Sequence, residues 1–395
     1  MAEVTNYIDR LMVELCPDGV EYRPLGELLA YEQPTKYLVS SKDYDDSYLT
    51  PVLTAGKTFI LGYTNETEGI YPASEEEPVI IFDDFTTAFK WVEFPFKAKS
   101  SAMKMLTLKS GTNSLFKYVY YAMQCIVYNS SDHARQWISK YSNIEIPVPP
   151  MAIQEAIVEI LDKFTNLEAE LEAELEARTL QYEYYRDSLF EALDCPRVPL
   201  GSLGTFVRGN GLQKKDLQES GNPVIHYGQV FTRYGLYEDK TLSYANDEVY
   251  NKLRKAEKGN LVIATTSEND EDVCKALAWL GETPAGISGD AYIYRHEMNP
   301  KYVSYFFTTH DFQRQKLRHI TGTKVRRVSG KNLETIEIPL PPLEEQQRIV
   351  DILDRFDALT SSLSEGLPAE LAARRSQYEY YRDQLLTFPR KGENQ

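Results

Sequence analysis

Basic side chains crowd one short stretch near the end of the chain. Its members are Arg314, Lys316, Arg318, His319, Lys324, Arg326 and Arg327, with Thr321-Gly322-Thr323 between them. Cationic side chains neutralise nucleic-acid phosphates, and a helix that ends in a glycine-containing loop can bring them to a duplex. A solvated charged face is the alternative interpretation, although the stretch contains no carboxylate. We expect DNA-phosphate contacts from Arg314, Arg318, Lys324, Arg326 and Arg327.

A second group of side chains could read base edges. Gln can pair with adenine and Arg with guanine in the major groove. His226-Tyr227-Gly228-Gln229 is followed closely by Arg233 and Tyr234. Ordinary turn and core roles are the alternative for these residues. The pattern predicts DNA contacts from Tyr227, Gln229, Arg233 and Tyr234.

The first half of the chain carries a comparable but more scattered set. The predicted DNA-binding residues there are Lys57, Thr87, Lys90, Lys97, Lys99 and Lys104. They are spread over about 50 residues, so only the fold can bring them to one surface. Solvated or structural lysines are the alternative interpretation.

Sequence signatures of catalysis are missing. Gly56-Lys57-Thr58 has the end of a phosphate-binding loop, but Pro51 occupies the place of its first glycine. Asp83, Asp84 and Glu93 lack the Glu-x-Lys that would complete a nuclease metal site. The four cysteines are far apart and the five histidines have no ligand spacing. We therefore expect no enzymatic activity, no metal and no cofactor in this chain.

The segments that would position these residues occur twice in the chain. Residues 144–164 match residues 336–356 at 13 of 21 positions, and both copies open with Ile-Glu-Ile-Pro. The segment 181–189 returns as 377–385 with a single change, Ser188 to Gln384. The stretches between the copies share little. The sequence thus predicts a symmetric frame that holds two different domains.

The repeated segments are predicted to be long helices. After Pro149-Pro150 and Pro341-Pro342, apolar residues recur at alternating spacings of three and four, which is typical of a coiled coil. The predicted interface of the helix pair comprises Ile157, Ile160, Phe164 and Leu171, facing Ile349, Ile352, Phe356 and Leu363 on an antiparallel partner. Packing of each helix on its own domain is the alternative. Gly366 and Pro368 are expected to kink the second helix.

These patterns predict an α+β protein. Two mixed α/β domains are joined by two long antiparallel coiled-coil helices with a pseudo-two-fold, circular symmetry. The predicted segments are a frame-completing N-terminal helix (1–19), a first domain (20–146), a first connector helix (147–195), a second domain (196–338), and a second connector helix with the tail (339–395). Circular symmetry requires that the two chain ends lie close together.

The charge is distributed unevenly along the chain, whose net charge is −16. Residues 28–143 carry 11 Lys and Arg against 13 Asp and Glu, and residues 205–335 carry 19 against 16. The acidity therefore belongs to the connectors, and each domain can present a local basic face. No apolar run has the length of a membrane span and no secretion signal is recognisable, so we expect a cytoplasmic protein with no membrane partner.

The paired arrangement resembles the DNA-specificity subunit of type I restriction–modification systems. The resemblance covers essentially the whole chain and rests on two domains separated by repeated helices. Each helix is introduced by Ile-Pro-x-Pro-Pro, with Gln and Ile-Val-x-Ile-Leu-Asp following, over Ile146–Asp162 and Ile338–Asp354. Pro-Leu-Gly before each domain is also similar to the family.

The resemblance implies a non-catalytic subunit that recognises a bipartite, asymmetric double-stranded DNA site. It implies two DNA methyltransferase (modification) subunits as partners, which an ATP-driven restriction subunit can join. S-adenosylmethionine, ATP and magnesium would belong to those partners. A coiled-coil scaffold with two protein-binding domains is the alternative function. The target sequence, the spacer length and the methylated base cannot be read from the residues.

Overall fold

The structure, a computed structural model, describes residues 2–56, 58–128, 134–360 and 366–392. The chain forms two compact units. The first consists of residues 1–170 and 371–395, and the second of residues 171–370. Each unit includes part of the long helices. The division into units therefore does not test the predicted domain bounds 20–146 and 196–338, which stay predictions.

The first unit contains nine strands and the helices that flank them, within its described residues. In chain order these are α1 (Ala2–Leu15), β1 (Tyr22–Pro24), α2 (Leu25–Leu28), β2 (Leu29–Glu32), β3 (Thr50–Leu53), β4 (Ile60–Thr64), β5 (Val79–Asp83), β6 (Phe89–Val92), β7 (Lys97–Ala98), β8 (Met103–Leu108), α3 (Phe116–Gln124), β9 (Glu145–Pro147) and the start of α4 (Met151–Glu191). One antiparallel sheet has the order β2-β8-β5-β6, and a smaller sheet has the order β4-β3-β7.

The second unit follows the same plan with additional strands. Its elements are β10 (Arg197–Pro199), α5 (Leu200–Leu203), β11 (Gly204–Arg208), β12 (Asn222–Ile225), α6 (Tyr227–Thr232), β13 (Tyr237–Glu238), β14 (Ser243–Ala245), α7 (Asp247–Lys252), β15 (Lys255–Ala256), β16 (Leu261–Ala264), β17 (Thr266–Ser267), β18 (Lys275–Trp279), β19 (Ala285–Ile287), β20 (Ala291–His296), α8 (Pro300–Phe306), α9 (His310–Leu317), β21 (Arg326–Arg327), α10 (Gly330–Leu333), β22 (Glu337–Pro339), α11 (Leu343–Thr360) and the start of α12 (Gly366–Leu385). From residue 171 onward α4 belongs to this unit, and from residue 371 onward α12 belongs to the first.

The two domains share one topology although their sequences differ. The main sheet of the second unit has the order β11-β20-β16-β18-β13, which repeats β2-β8-β5-β6 and adds one strand. In each smaller sheet one pair is parallel, β3 with β7 and β12 with β19. The central strands β5 and β16 are almost entirely apolar and buried, as expected for strands covered on both faces. The prediction of two mixed domains joined by helices is confirmed.

The strands that enter and leave each domain pair with each other, and the pairing has the same register in both domains. β1 pairs with β9 so that Arg23 lies opposite Ile146, and β10 pairs with β22 so that Val198 lies opposite Ile338. In the first unit the segment after α1 meets the segment after α12, since the amide of Val20 donates to the carbonyl of Pro389 at 2.9 Å. This contact agrees with the predicted proximity of the two ends, whose terminal residues lie outside the described residues.

Tyrosines on equivalent helices fix each domain to its connector. The hydroxyls of Tyr118 on α3 and Tyr302 on α8 donate to the carbonyls of Pro147 and Pro339, at 3.0 and 2.8 Å. One turn further on, the hydroxyls of Tyr121 and Tyr305 donate to the carboxylates of Asp162 and Asp354, at 2.5 and 2.7 Å. Both domains are therefore attached to their connector helices by the same two tyrosine hydrogen bonds.

The predicted facing residues of the helix pair need correction. Ile157 and Ile349 are fully buried, but Ile157 lies in the core of the first unit and Ile349 in that of the second. Ile160 packs on the first core, and Ile352 is half-buried. Packing of each stripe on its own domain, the alternative interpretation, describes these residues.

The aromatic residues of the stripes have partners other than the predicted ones. Phe164 contacts Tyr378 and Tyr381 of α12, whereas Phe356 contacts Tyr185 of α4. In the first unit α4 and α12 are antiparallel, because Glu168 pairs with Arg375 while Phe164 reaches Tyr381. The predicted direction is therefore right for that pair and the predicted partners are wrong.

The second connector contains Gly366 and Pro368, where the sequence predicts a kink, and the residues just before them, 361–365, lie outside the described residues. α11 ends at Thr360 and α12 begins at Gly366, whose φ of +80° lies in the left-handed region. A residue with a side chain would be strained there. Leu363, the last member of the predicted interface, lies outside the described residues, and Leu171 is half-buried at the start of the second unit.

Candidate nucleic-acid interface

The basic stretch of the second domain forms a short helix and a hairpin loop. α9 is followed by Arg318, and the chain then turns back on itself between Thr321 and Arg327, whose backbones exchange two hydrogen bonds of 2.9 Å. Gly322 has a φ of +90°, and a Cβ there would lie 2.1 Å from the carbonyl oxygen of Val325. The close turn leaves the tip of the loop, with Lys324, exposed.

The base of this loop is attached to the main sheet. β21 pairs with β17, and the amide of Val328 donates to the carbonyl of Thr265 at the end of β16. Arg326 also forms an ion pair with Asp270, with Nε and Oδ1 2.8 Å apart. The loop thus has a fixed base and an exposed tip.

The cations of the stretch fall into two groups. Arg314 is paired with Asp311, and Lys316 is fully buried with its ammonium on the carbonyl of Glu271. Burial lowers the pKa of Lys316 below its usual value. Within the described part of the chain, the exposed side chains of Arg318, Lys324 and Arg327 have no ion-pair partner, so these three remain available to a phosphate.

Two of the predicted base readers have structural roles instead. The amide of Gln229 on α6 donates to the hydroxyl of Ser243 at 2.7 Å, and its oxygen faces the amide of His226. The hydroxyl of the buried Tyr234 accepts a hydrogen bond from the amide of Leu242. Arg233 is exposed and Tyr227 is half-buried against His226. Of these four predicted base readers, Arg233 and Tyr227 remain candidates for DNA contact.

The lysines predicted in the first domain are mostly engaged. Nζ of Lys104 is buried 3.0 Å from Oδ2 of Asp84, without hydrogen-bond alignment, and contacts Gln33 at 3.1 Å. Lys97 is buried in an ion pair of 2.6 Å with Glu66. Neither lysine can reach a nucleic acid, so both predictions are corrected: these charges stabilise the interior.

The other predicted residues of the first domain are more accessible. Lys99 is half-buried and donates to the hydroxyl of Tyr44 at 2.7 Å. Lys90 is exposed on β6. Thr87 adopts a left-handed φ of +60° in the turn after β5. Lys57 lies outside the described residues.

The carboxylates considered for metal chemistry hold the turn after β5. Oδ1 of Asp83 accepts the amides of Phe85 and Thr86, and Oδ1 of Asp84 accepts that of Trp137 at 2.8 Å. Glu93 accepts the indole N–H of Trp91. No group of three or more potential metal-ligating residues occurs in the described ranges. Each of these three carboxylates accepts hydrogen bonds from neighbouring N–H groups and so has a structural role.

One exposed arginine escaped the predicted set. Arg135 precedes Gln136, whose amide donates to the carbonyl of Asp84 at 2.8 Å, as Val328 does to Thr265. Arg135 lies 192 residues before Arg327, the same offset that relates the repeated connectors. That offset is the signal by which the sequence could have found it.

Among the described helices, none has the length and apolarity needed to cross a membrane.

Comparison with known proteins gives one consistent result. A family model for the type I restriction modification DNA specificity domain matches residues 17–177 and 196–373. The type I restriction enzyme EcoR124I/EcoR124II specificity subunit of Escherichia coli is 44% identical over 98% of both chains. A putative type I restriction enzyme specificity subunit of Haemophilus influenzae is 28% identical over 96% of this chain and 99% of its own.

Solved structures agree on the fold. A type I restriction–modification S subunit from M. genitalium superposes with a TM-score of 0.52 at 14% identity, over 93% of this chain and 96% of its own. A chain from a study of complex assembly and conformational transition in the type I system gives a TM-score of 0.57 at 15% identity, over 94% and 98%. The chain belongs to the type I restriction–modification DNA specificity family, whose members are non-catalytic specificity subunits.

Proposed function

We propose that this chain recognises a bipartite, asymmetric DNA sequence, with one domain for each half. In a type I restriction–modification complex it brings two methyltransferase subunits to that sequence, and a restriction subunit can join them. S-adenosylmethionine, ATP and magnesium then act in the partner subunits. The complex works on cytoplasmic DNA.

The observation that carries this proposal is the pairing of one topology with two different surfaces. The main sheets share the order β2-β8-β5-β6 and β11-β20-β16-β18, and both domains enter and leave through strands of identical register. The turn between β5 and β6 spans 84–88, whereas the turn between β16 and β18 spans 265–274 and supports the basic loop. Equivalent scaffolds with different loops suit two different half-sites.

Charge supports the same function. Two exposed cations without an ion-pair partner in the described part of the chain, Lys324 and Arg327, lie on the loop attached to β16. The acidic residues of the chain are concentrated in the connectors, as in the glutamate-rich part of α4. Connectors with this charge are suited to protein partners, while the domains neutralise phosphates.

The test uses the chain assembled with its methyltransferase subunits. Sequencing of modified bases in the host genome should identify one bipartite motif, and a duplex with that motif should bind far more tightly than a shuffled duplex. The logarithm of the affinity should fall linearly with the logarithm of the salt concentration. Binding without sequence preference, or no binding, would overturn the proposal in favour of a scaffold role.

A further inference from the structure

The domains share one backbone contact beyond the sheets themselves. Asp84 and Thr265 each follow the last residue of a central strand, and their amides donate to the carbonyls of Ala102 and Asp290, at 3.0 and 3.1 Å. Their own carbonyls accept the amides of Gln136 and Val328, at 2.8 and 3.3 Å. Gln136 and Val328 are therefore equivalent positions on two different domains.

The residue before each docked amide is an arginine. Arg135 and Arg327 are both exposed, while the side chains of Gln136 and Val328 are buried. The eight residues that follow each docked position lead to Ile144 and Ile336, whose carbonyls accept the amides of Leu25 and Leu200. The repeat thus extends upstream to this arginine, with identical spacing and identical residue type.

Neighbouring carboxylates do not neutralise the two arginines. In the first domain Asp83 accepts turn amides, and Asp84 is occupied by Lys104 and the amide of Trp137. In the second domain Asp270 pairs with Arg326. Throughout the described residues, the guanidinium groups of Arg135 and Arg327 have neither an ion pair nor a hydrogen bond, so each carries a free charge on an anchored backbone.

We propose that Arg135 and Arg327 are equivalent phosphate-binding residues, one in each half-site. This inference rests on the proposed function and deepens it. Every half-site offers phosphates whatever its base sequence, so a residue type that both domains place at the same position is suited to a phosphate contact. A guanidinium can bind a phosphate through two parallel N–H donors, which orients the domain as well as attracting the duplex.

The test compares Arg135→Ala and Arg327→Ala in the assembled complex, on the bipartite duplex identified by modified-base sequencing. Each variant should weaken binding and reduce the salt slope by about 0.9, the value for one lost phosphate contact. The preferred bases in a selection from randomised DNA should stay unchanged. Arg135→Lys and Arg327→Lys should restore part of the affinity, because a lysine keeps the charge and loses the paired donors.

Matched controls are exposed lysines that already have partners. Lys36 pairs with Glu32 in the first domain and Lys252 pairs with Glu248 in the second. Their alanine variants should keep the wild-type slope, and circular dichroism should show all variants folded. Unchanged affinity in both arginine variants would overturn the inference, and so would a changed base preference in either half-site, which would mean base reading. Failure of the wild-type complex to prefer the motif would instead overturn the proposed function.

Discussion

The ring of Phe164 stacks on that of Tyr381, with centroids 5.7 Å apart and an angle of 25° between their planes. The second unit contains the same pair, in which Tyr185 stacks on Phe356 at 5.7 Å and 26°. Phe164 and Phe356 are equivalent residues of the repeat, as are Tyr185 and Tyr381. The same stacked aromatic contact therefore occurs between the helices of each unit.

Removal of either phenylalanine should destabilise its own unit. Both rings are half-buried, so Phe164→Ala and Phe356→Ala should each cost about 1–3 kcal/mol, less than a fully buried ring. Denaturant unfolding measures the loss. Leu180→Ala on α4 is the control, because that side chain is 60% exposed. Variants as stable as the control would mean that the stacked rings contribute nothing.

The buried Lys104 offers a direct test between an interior and a DNA-binding role. Lys104→Met leaves the carboxylate of Asp84 buried without its cation, which should cost about 3–5 kcal/mol. Lys104→Met with Asp84→Asn should recover part of this loss, because no charge then remains while the acceptor for the amide of Trp137 is kept. Thermal unfolding measures both. A stable Lys104→Met variant with weakened DNA binding would restore a DNA-binding role for Lys104.

Gly322 should be essential for the shape of the basic loop. Gly322→Ala places a Cβ 2.1 Å from the carbonyl oxygen of Val325, so the loop must rearrange and DNA affinity should fall. Gly259→Ala is a matched control, since Gly259 has the same φ of +90° but nothing in the described part of the chain lies within 4 Å of the position that its Cβ would take. Binding assays on the bipartite duplex compare the two. Equal affinities would remove the loop from the interface.

His296 should make the second unit sensitive to acid. Burial lowers its pKa to about 4, whereas the unfolded chain has a pKa of about 6.5. As the pH falls from about 6.5 to about 4, only the unfolded chain binds this proton, so stability is lost in that window. His296→Phe keeps an aromatic ring against Tyr294 and should lose less stability there. Unfolding midpoints at pH 7 and pH 5 give the comparison, and identical pH dependence in both proteins would refute the role of His296.

The repeat predicts much of the fold because it is written in local patterns. The proline-initiated helices follow from residues near one another in sequence, and the approach of the segments after α1 and α12 follows from the repetition of the connectors. The pairing of the stripes did not follow, because a periodic stripe defines a helix face and not the element that covers it. Ile157 and Ile349 consequently pack into separate domain cores.

The candidate site was less predictable than the frame. The residue type alone does not indicate whether a lysine is buried or exposed. The pairing of β5 with β8 brings Lys104 close to Asp84. Gln229 was predicted to read bases, but its side-chain amide donates to the hydroxyl of Ser243. Arg135 could have been found from its offset to Arg327, had the repeat been followed upstream of Ile144.

A domain exchange tests the central claim that each domain reads one half of the DNA sequence. Residues 205–330 are replaced by the equivalent segment of the Escherichia coli relative, and the assembled complex selects from randomised DNA. The account predicts that one half-site changes to that of the relative while the other half-site is kept. Simultaneous change of both halves, or of neither, would contradict it.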